Sequence, residues 1–206
     1  MPGGLQVDDI RMGYGKVPVI RHLSMNVEPG QALIVTGANG AGKSTLLRGL
    51  AGLQPMKFSS YLLGGEDCPP TSRTHRQLTH SIFDDWAWLP ELTVGDHLRL
   101  LSKSQRSSSV EVALDLFGAA HLIRRLPHSL STGQERRCAL ASMIVRPWSV
   151  LFLDEPERGL DEEYQGVLAE ALGAILGQRS VVLATHRPEL FADLPAQRLH
   201  LAGDDS

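Results

Sequence analysis

An α/β core interrupted by a helical lobe is the fold class that the sequence predicts. Three short apolar runs carry this prediction: Ala32 to Thr36, Val150 to Asp154 and Val181 to Thr185. Continuous apolar runs of this length are typical of parallel strands that helices bury on both faces. The stretches Lys43 to Leu53 and Glu162 to Leu176 have helical spacing and follow two of these runs, which is the alternation expected of an α/β core.

An antiparallel β subdomain is expected before the first buried run. Residues Val19 to Val27 alternate in a way typical of a half-exposed strand, and they end at the turn signal Glu28-Pro29-Gly30. From Trp86 to Arg146 the apolar spacing is helical. We therefore expect a single domain over 1–206, with a core subdomain at about 1–84 and 147–206 and a helical lobe at about 85–146.

Composition excludes several classes of protein. The 206 residues are 42% hydrophobic and 21% charged, which is enough apolar surface for a packed core. The net charge of -3 lacks the basic excess of nucleic-acid binders, so no nucleic-acid partner is expected. No run of eighteen apolar residues and no secretory signal is present, and two cysteines are too few for a disulfide framework. A cytoplasmic protein that reaches a membrane only through a partner fits these observations.

A glycine-rich loop, Gly37-Ala-Asn-Gly-Ala-Gly42-Lys43-Ser44-Thr45, follows the first buried run and precedes a helix. It matches G-x-x-x-x-G-K-[ST], whose curled backbone and helix start point N–H groups at nucleotide phosphates. Lys43 is expected to reach the β and γ phosphates, and Ser44 to supply a hydroxyl ligand to Mg²⁺. The candidate nucleotide contacts are Gly37, Asn39, Gly40, Ala41, Gly42, Lys43, Ser44 and Thr45. The loop alone does not separate kinases, GTPases, motors and transporter ATPases.

Two acids, Asp154 and Glu155, end the second buried run. A buried strand places Asp154 beside the phosphate loop, where it is expected to hold Mg²⁺ through water. Glu155 lies one residue further, in position to polarise the attacking water. His186 follows the third run and is expected to hydrogen-bond both the γ phosphate and Glu155. The candidate catalytic residues are therefore Glu155, His186 and Lys43.

A second anion site is predicted at Leu130-Ser131-Thr132-Gly133-Gln134, ahead of an amphipathic helix expected from Glu135 to about Arg146. Ser131 has the chemistry of a helix N-cap, and Gly133 allows close backbone approach. Alone, this segment is an ordinary capped helix. Its position between a phosphate loop and an Asp-Glu strand makes it specific for one class of ATPase.

The chain resembles the ATP-binding cassette of ABC transporters over essentially its whole length. The matching residues stand in family order: Tyr14, Gly37 to Thr45, Leu130 to Gln134, Asp154-Glu155, Gly159-Leu160-Asp161 and His186. The resemblance implies a P-loop NTPase fold with a RecA-like core. It also implies that Tyr14 stacks on adenine, and that Asp161 lies in a loop that crosses the interface between two cassettes. Within the family, the short length and the run from Leu130 to Arg137 resemble the small cassettes of cytochrome c maturation heme exporters and of generic multidrug-type exporters, while import and export both stay open.

A mechanism follows from the resemblance. Two identical or homologous cassettes would close head to tail around ATP and Mg²⁺, so that the phosphate loop of one faces Ser131, Gly133 and Gln134 of the other. Hydrolysis at Glu155 would then release the pair. The cycle would drive a separate integral membrane permease, which places the chain on the cytoplasmic face of the cell membrane. The permease would select the cargo.

Some residues depart from the family pattern. Asp84 takes the place of the family's glutamine at the start of the lobe, with Asp85 as the neighbouring option. Asp84 is expected to coordinate Mg²⁺, although its charge lies near the triphosphate. Trp86 and Trp88 either contact the membrane partner or pack inside the lobe, and the charged pair Glu157-Arg158 is unusual.

Two other functions stay open at this point. The first is a nucleotide-gated subunit with little or no hydrolysis, in which the aspartate at position 84 is the reason that hydrolysis is lost. The second is a soluble ABC-type ATPase outside transport, acting on nucleic acid, translation or cofactor assembly. The acidic charge balance and the single cassette oppose this second function.

Overall fold

Nine strands and six α-helices form the part of the chain that the computed structural model describes, residues 3–15, 17–102, 108–177 and 179–202. The strands are β1 (Leu5–Tyr14), β2 (Val17–Val27), β3 (Ala32–Gly37), β4 (Ser60–Leu63), β5 (Glu66–Asp67), β6 (Thr79–Ile82), β7 (Val150–Asp154), β8 (Ser180–Ala184) and β9 (Ala196–Leu201). The helices are α1 (Lys43–Leu50), α2 (Arg73–Leu78), α3 (Val94–Leu101), α4 (Ser108–Leu116), α5 (Thr132–Val145) and α6 (Glu162–Leu176). Each described helix is too short or too polar to cross a bilayer.

Two sheets carry these strands. Five strands pair in parallel in the order β6-β7-β8-β3-β9, and four pair antiparallel in the order β2-β1-β4-β5. Every residue of β7 and β8 is buried, as expected of central parallel strands that are covered on both faces. The expected α/β class, with its antiparallel sheet and helical lobe, is confirmed.

The parallel sheet separates two apolar cores. On one face, side chains such as Leu153 and Leu183 pack with the helical lobe and α6, which contribute Leu140, Phe117 and Leu172. On the other face, α1 and the antiparallel sheet pack against the alternate residues of the same strands. Because the three central strands β3, β7 and β8 contribute side chains to both cores, packing on both faces holds their carboxyl ends at one edge of the sheet.

The element boundaries differ from the sequence expectations in places. The expected helix from Lys43 to Leu53 ends at Leu50, because Gly52 adopts a left-handed conformation with φ 73° that closes the helix. The helix expected from Glu135 starts at Thr132, because Ser131 is its N-cap. The strand expected from Val181 lies one residue earlier, at Ser180–Ala184. The boundaries of β7 and α6 are as expected.

The loops that carry the motifs meet at the carboxyl edge of the parallel sheet. Strand β8 lies between β7 and β3, and Ala184 pairs with both Asp154 and Val35. The phosphate loop continues from β3, Asp154 and Glu155 stand at the end of β7, and the turn at His186 follows β8. Ligands of open α/β sheets bind at this edge, so the fold brings the predicted site residues to one place.

Candidate nucleotide-binding and hydrolysis site

The phosphate loop is shaped by two glycines in the left-handed region. Gly40 has φ 81° and Gly42 has φ 94°. A Cβ atom at Gly42 would lie 2.6 Å from Cγ1 of Val19, so this position has no room for a side chain. The loop therefore curls tightly between β3 and the first turn of α1, as the sequence pattern predicts.

The start of α1 offers donors for an anion. Gly42 is the N-cap and provides no side-chain cap, and the first turn contains no acidic residue. The Lys43 ammonium is buried and donates to the carbonyl oxygens of Gly37 at 2.9 Å and Ala38 at 3.1 Å. The side chain of Ser44 is exposed at the loop, whereas that of Thr45 is buried. Open helix N–H groups beside a lysine form a site that favours phosphate.

Asp154 has the properties of a metal-binding carboxylate. It is buried at the end of β7, and its Oδ1 atom has no hydrogen-bond partner among the described residues. Burial raises the pKa of Asp154, and a hydrogen bond from Ser44 opposes that shift. An unpartnered buried carboxylate oxygen beside a serine hydroxyl fits a hard cation such as Mg²⁺. The described residues contain no cluster of three His, Cys, Asp or Glu side chains that could hold a metal ion.

Glu155 is held in an unusual backbone conformation. Its φ of 44° lies in the left-handed region, which is uncommon for residues other than glycine and is found at functional sites. Its N–H donates to the carbonyl oxygen of Ala184 at 2.9 Å. Its Oε1 atom lies 3.1 Å from Nε2 of His186. The structure thus brings together the two side chains that the sequence predicts to act on the attacking water.

Arg136 fixes the backbone around these acids, and sequence reasoning missed it. The guanidinium is buried and donates to the carbonyl oxygens of Asp154 at 2.8 Å, of Glu155, and of Pro156 and Phe83 at 3.4 Å. Burial lowers the pKa of Arg136, because the charged form loses solvation. In the sequence Arg136 stands between Glu135 and Arg137 at the start of an amphipathic helix, and nothing in that run reveals these partners.

The segment after β6 carries two ion pairs. Asp84 accepts from Nη1 of Arg158 at 2.7 Å, and its other oxygen lies 3.6 Å from Nη1 of Arg136. Asp85 accepts from both terminal nitrogens of Arg48, at 2.8 and 3.1 Å, which lowers the pKa of Asp85. The expected metal ligand Asp84 is therefore engaged by arginine side chains.

The unusual residue Glu157 and the two tryptophans pack internally. Glu157 is buried and accepts a short hydrogen bond from the Thr185 hydroxyl. The rings of Trp86 and Trp88 lie 6.1 Å apart, and the ring of Trp88 lies 4.8 Å from that of His97. Both tryptophans pack against the apolar core of the lobe. This placement matches the packing alternative that the sequence left open.

The predicted second anion site, Leu130 to Gln134, caps α5. The Ser131 hydroxyl accepts from the N–H of Gln134 at 3.3 Å, and the Gln134 side chain accepts from the N–H of Ser131 at 3.0 Å. This reciprocal capping box fixes the helix start. The helix N–H groups of Thr132 and Gly133 lie ahead of the first intrahelical bond, so they are oriented for an external acceptor.

Two further predicted residues occupy different parts of the site. Tyr14 is 60% exposed, and its hydroxyl lies 3.3 Å from Oγ1 of Thr45, so its ring stands beside the phosphate loop. Asp161 is the N-cap of α6 and accepts from the N–H of Tyr164 at 3.1 Å. Its carboxylate thus stabilises the helix that follows the Asp-Glu strand.

Comparison with known proteins establishes the family. The family model described as ABC transporter matches residues 20–158. This chain belongs to the ABC transporter ATP-binding family. The cytochrome c biogenesis ATP-binding export protein CcmA of Ruegeria pomeroyi is 36% identical over 88% of this chain and 84% of the relative. The Fe(3+) ions import ATP-binding protein FbpC of Agrobacterium fabrum is 34% identical over 78% of this chain, which spans about half of that relative, 47%.

The fold is shared with a solved exporter. The structure of a bacterial Atm1-family ABC exporter with ATP bound matches with a TM-score of 0.84, at 23% identity, over 98% of this chain and 38% of that chain. Both exporters and importers thus appear among the relatives. The chain is an ATP-binding and ATP-hydrolysing subunit of the ABC transporter class.

Proposed function

We propose that two copies of this chain, or this chain and a homologous cassette, bind ATP with Mg²⁺ between them and drive a separate membrane permease from the cytoplasmic face. The observation that carries the proposal is the contact between Glu155 and His186, next to the unpartnered oxygen of Asp154. A general base, its orienting partner and a metal-binding carboxylate stand together beside a phosphate loop. This arrangement supports hydrolysis as well as binding.

The phosphate loop would bind and orient the triphosphate. The N–H groups at the start of α1 and the Lys43 ammonium supply positive charge to the β and γ phosphates. Ser44 and Asp154 are the protein groups that would hold Mg²⁺, which neutralises phosphate charge when bound. Tyr14, exposed beside the loop, is placed to stack on the adenine ring.

Glu155 would accept a proton from the attacking water. The buried Arg136 binds the backbone carbonyl oxygens of Asp154 and Glu155, and together with the left-handed backbone of Glu155 it would restrict the position of the carboxylate. His186 lies within hydrogen-bond distance of Oε1, which fixes the direction of that oxygen. A base positioned in advance contributes about 10²–10⁴-fold to hydrolysis rates.

The capped start of α5 would complete the site of a second copy. Its N–H groups at Thr132 and Gly133, with Ser131 and Gln134, form an anion site at the surface of the lobe. Asp161 lies at the start of α6, in the loop that the family places across the interface. ATP bound to one copy would then hold both copies together, since ligands that contact two chains stabilise their association. With the proposed division into a core subdomain at about 1–84 and 147–206 and a lobe at about 85–146, these two anion sites would lie on separate subdomains.

Steady-state ATP hydrolysis with Glu155→Gln as the comparison tests this proposal. Gln keeps the size of Glu but does not accept a proton, so the rate is expected to fall about 100-fold while nucleotide affinity stays within about threefold. Arg99→Gln, which removes an exposed ion pair on the lobe, serves as the surface control. Equal background rates in the natural chain and Glu155→Gln would instead support a nucleotide-gated subunit without hydrolysis.

A further inference from the structure

Two consecutive aspartates stand where the chain leaves β6 for the helical lobe, and each pairs with a different catalytic element. Asp85 pairs with Arg48, on the helix that follows the phosphate loop. Asp84 pairs with Arg158, in the loop that follows Asp154-Glu155. These pairs join residues 37 and 74 positions apart. The start of the lobe is therefore tied to both halves of the nucleotide site by charge.

Arg158 lies between two carboxylates. Its Nη1 atom is 2.7 Å from Oδ2 of Asp84 and 3.9 Å from Oε2 of Glu155. The other oxygen of Glu155 faces His186 at 3.1 Å. Each oxygen of Glu155 thus has its own positively charged or hydrogen-bonding neighbour, and rotation of the carboxylate would break one of the two contacts.

The negative charge around the phosphate loop makes this arrangement consequential. Asp84, Asp154 and Glu155 lie close enough that the charges of Asp84 and Glu155 both add to the burial that raises the pKa of Asp154. A triphosphate adds further negative charge at the same edge of the sheet. Arg158 contacts Oδ2 of Asp84 directly, at 2.7 Å. The buried Arg136 is bound to backbone carbonyls, and its Nη1 atom lies 3.6 Å from Oδ1 of Asp84.

We propose that Arg158 is a positioning residue for ATP hydrolysis, which acts by neutralising Asp84 and by fixing Oε2 of Glu155. Asp84 then serves as the anchor of Arg158 instead of as a ligand of the metal. The pair also connects the first residues of the helical lobe to the proposed base, so a displacement of the lobe changes the surroundings of Glu155. The inference rests on the proposed role of Glu155.

A four-protein comparison tests this coupling: the natural chain, Arg158→Gln, Asp84→Gln and the double variant. Asp84→Gln keeps a polar side chain and removes the charge that Arg158 neutralises. In each protein, kcat and KM for ATP are measured, together with the Kd of a fluorescent ATP analogue in Mg²⁺. Arg99→Gln is the matched control, because Arg99 pairs with Asp96 at 2.9 Å and Glu111 at 3.3 Å on the lobe surface.

Arg158→Gln in the natural background is expected to lower kcat about tenfold and to weaken nucleotide binding severalfold, because Asp84 loses its counter-charge. In the Asp84→Gln background the same change is expected to weaken nucleotide binding much less. The factor by which Arg158→Gln raises the Kd should therefore be about fivefold or more larger with Asp84 than with Gln at position 84. Raising the ionic strength from about 0.05 to 0.5 M should also lower kcat more in the natural chain than in the double variant, since exposed ion pairs are screened. Arg99→Gln should leave all three values unchanged.

An equal loss from Arg158→Gln with Asp84 and with Gln at position 84 would overturn the coupling. A thermal melt of each variant separates that result from misfolding, because a folded variant retains the transition of the natural chain. If the natural chain hydrolyses no ATP but the nucleotide affinities still show the coupling, the role of Glu155 fails and the neutralisation of Asp84 stands. If hydrolysis depends on Glu155 but the effects of Arg158→Gln and Asp84→Gln are additive, the proposed function stands and the role of Arg158 fails.

Discussion

Replacing Arg136 by methionine removes the side chain that holds the backbone of the Asp-Glu strand end. Methionine keeps most of the aliphatic volume of arginine and removes the guanidinium. The carbonyl oxygens of Asp154 and Glu155 lose their shortest contacts, and those of Pro156 and Phe83 lose weaker ones at 3.4 Å. A buried carbonyl without a donor costs about 1–3 kcal/mol.

The expected loss of stability follows from these contacts. The bond to Asp154 contributes about 2 kcal/mol, and the bond to Glu155 about 1 kcal/mol because the Glu155 carbonyl oxygen also accepts from the N–H of Arg158 at 3.0 Å. The weaker pair adds little because of its length, so the bonds together contribute about 3 kcal/mol. Removing the buried charge returns part of the desolvation that lowers the pKa of Arg136, so the net loss is about 2 kcal/mol. Hydrolysis should fall as well, because Glu155 loses the contact that fixes its left-handed backbone.

Urea-induced unfolding followed by circular dichroism measures the change in the free energy of unfolding. Arg99→Met is the control, since an exposed ion pair on the lobe contributes less than about 1 kcal/mol. A loss below about 1 kcal/mol for Arg136→Met would refute the argument, because it would mean that water or another donor satisfies these carbonyl oxygens equally well.

Three further changes have outcomes that the structure determines. Burial lowers the pKa of His80 to about 3 and that of His75 to about 4, so both stay neutral in the fold while the unfolded chain takes up protons below about 6.5. Their contribution to stability is therefore complete above pH 6.5 and is lost as the pH falls towards 4, by up to about 1.4 kcal/mol per pH unit for each histidine. Urea unfolding at several pH values should show this dependence of the free energy of unfolding on pH, and His80→Gln should make the dependence weaker. Gly42→Ala should weaken binding of a fluorescent ATP analogue about tenfold or more, because φ is 94° and the added Cβ would lie 2.6 Å from Cγ1 of Val19. Gly166→Ala, with open space around its Cβ, should not change the affinity, and equal affinities of the two variants would contradict the role of the loop shape. Ser131→Ala removes the N-cap of α5 and should lower the free energy of unfolding by about 1 kcal/mol, while Ser131→Asp, which retains a cap, should restore most of it.

Local patterns in the sequence were sufficient for much of the fold and the site. The apolar runs identify β3, β7 and β8 because buried parallel strands consist of continuous apolar residues. The phosphate loop is also recognisable from the sequence, since the positive φ angles of Gly40 and Gly42 are a local property of its curled backbone. Strand β6 was not identified, because its polar residues His80 and Ser81 hide a strand that is fixed by its pairing with β7.

Contacts between distant residues explain what sequence reasoning missed. Asp84 and Arg158 meet only because β6 and β7 are neighbours in the sheet, so nothing within either segment predicts their pair. Arg136 reaches the carbonyl of Asp154 across 18 positions of sequence because α5 lies against the end of β7. Glu157 looked anomalous in the sequence, and the structure explains it as a buried acceptor for Thr185. In each case the partner is supplied by tertiary packing.

The most direct test is the mass of Glu155→Gln in solution, measured by light scattering after size exclusion with and without ATP and Mg²⁺. If nucleotide is held between two copies, each offering the start of α5 to the other's phosphate loop, the variant should be monomeric without nucleotide and dimeric with it. A matched sample carrying Lys43→Ala as well should stay monomeric, because Lys43 belongs to the phosphate loop. A Glu155→Gln protein that binds ATP and remains monomeric, also beside its membrane partner, would contradict the shared site.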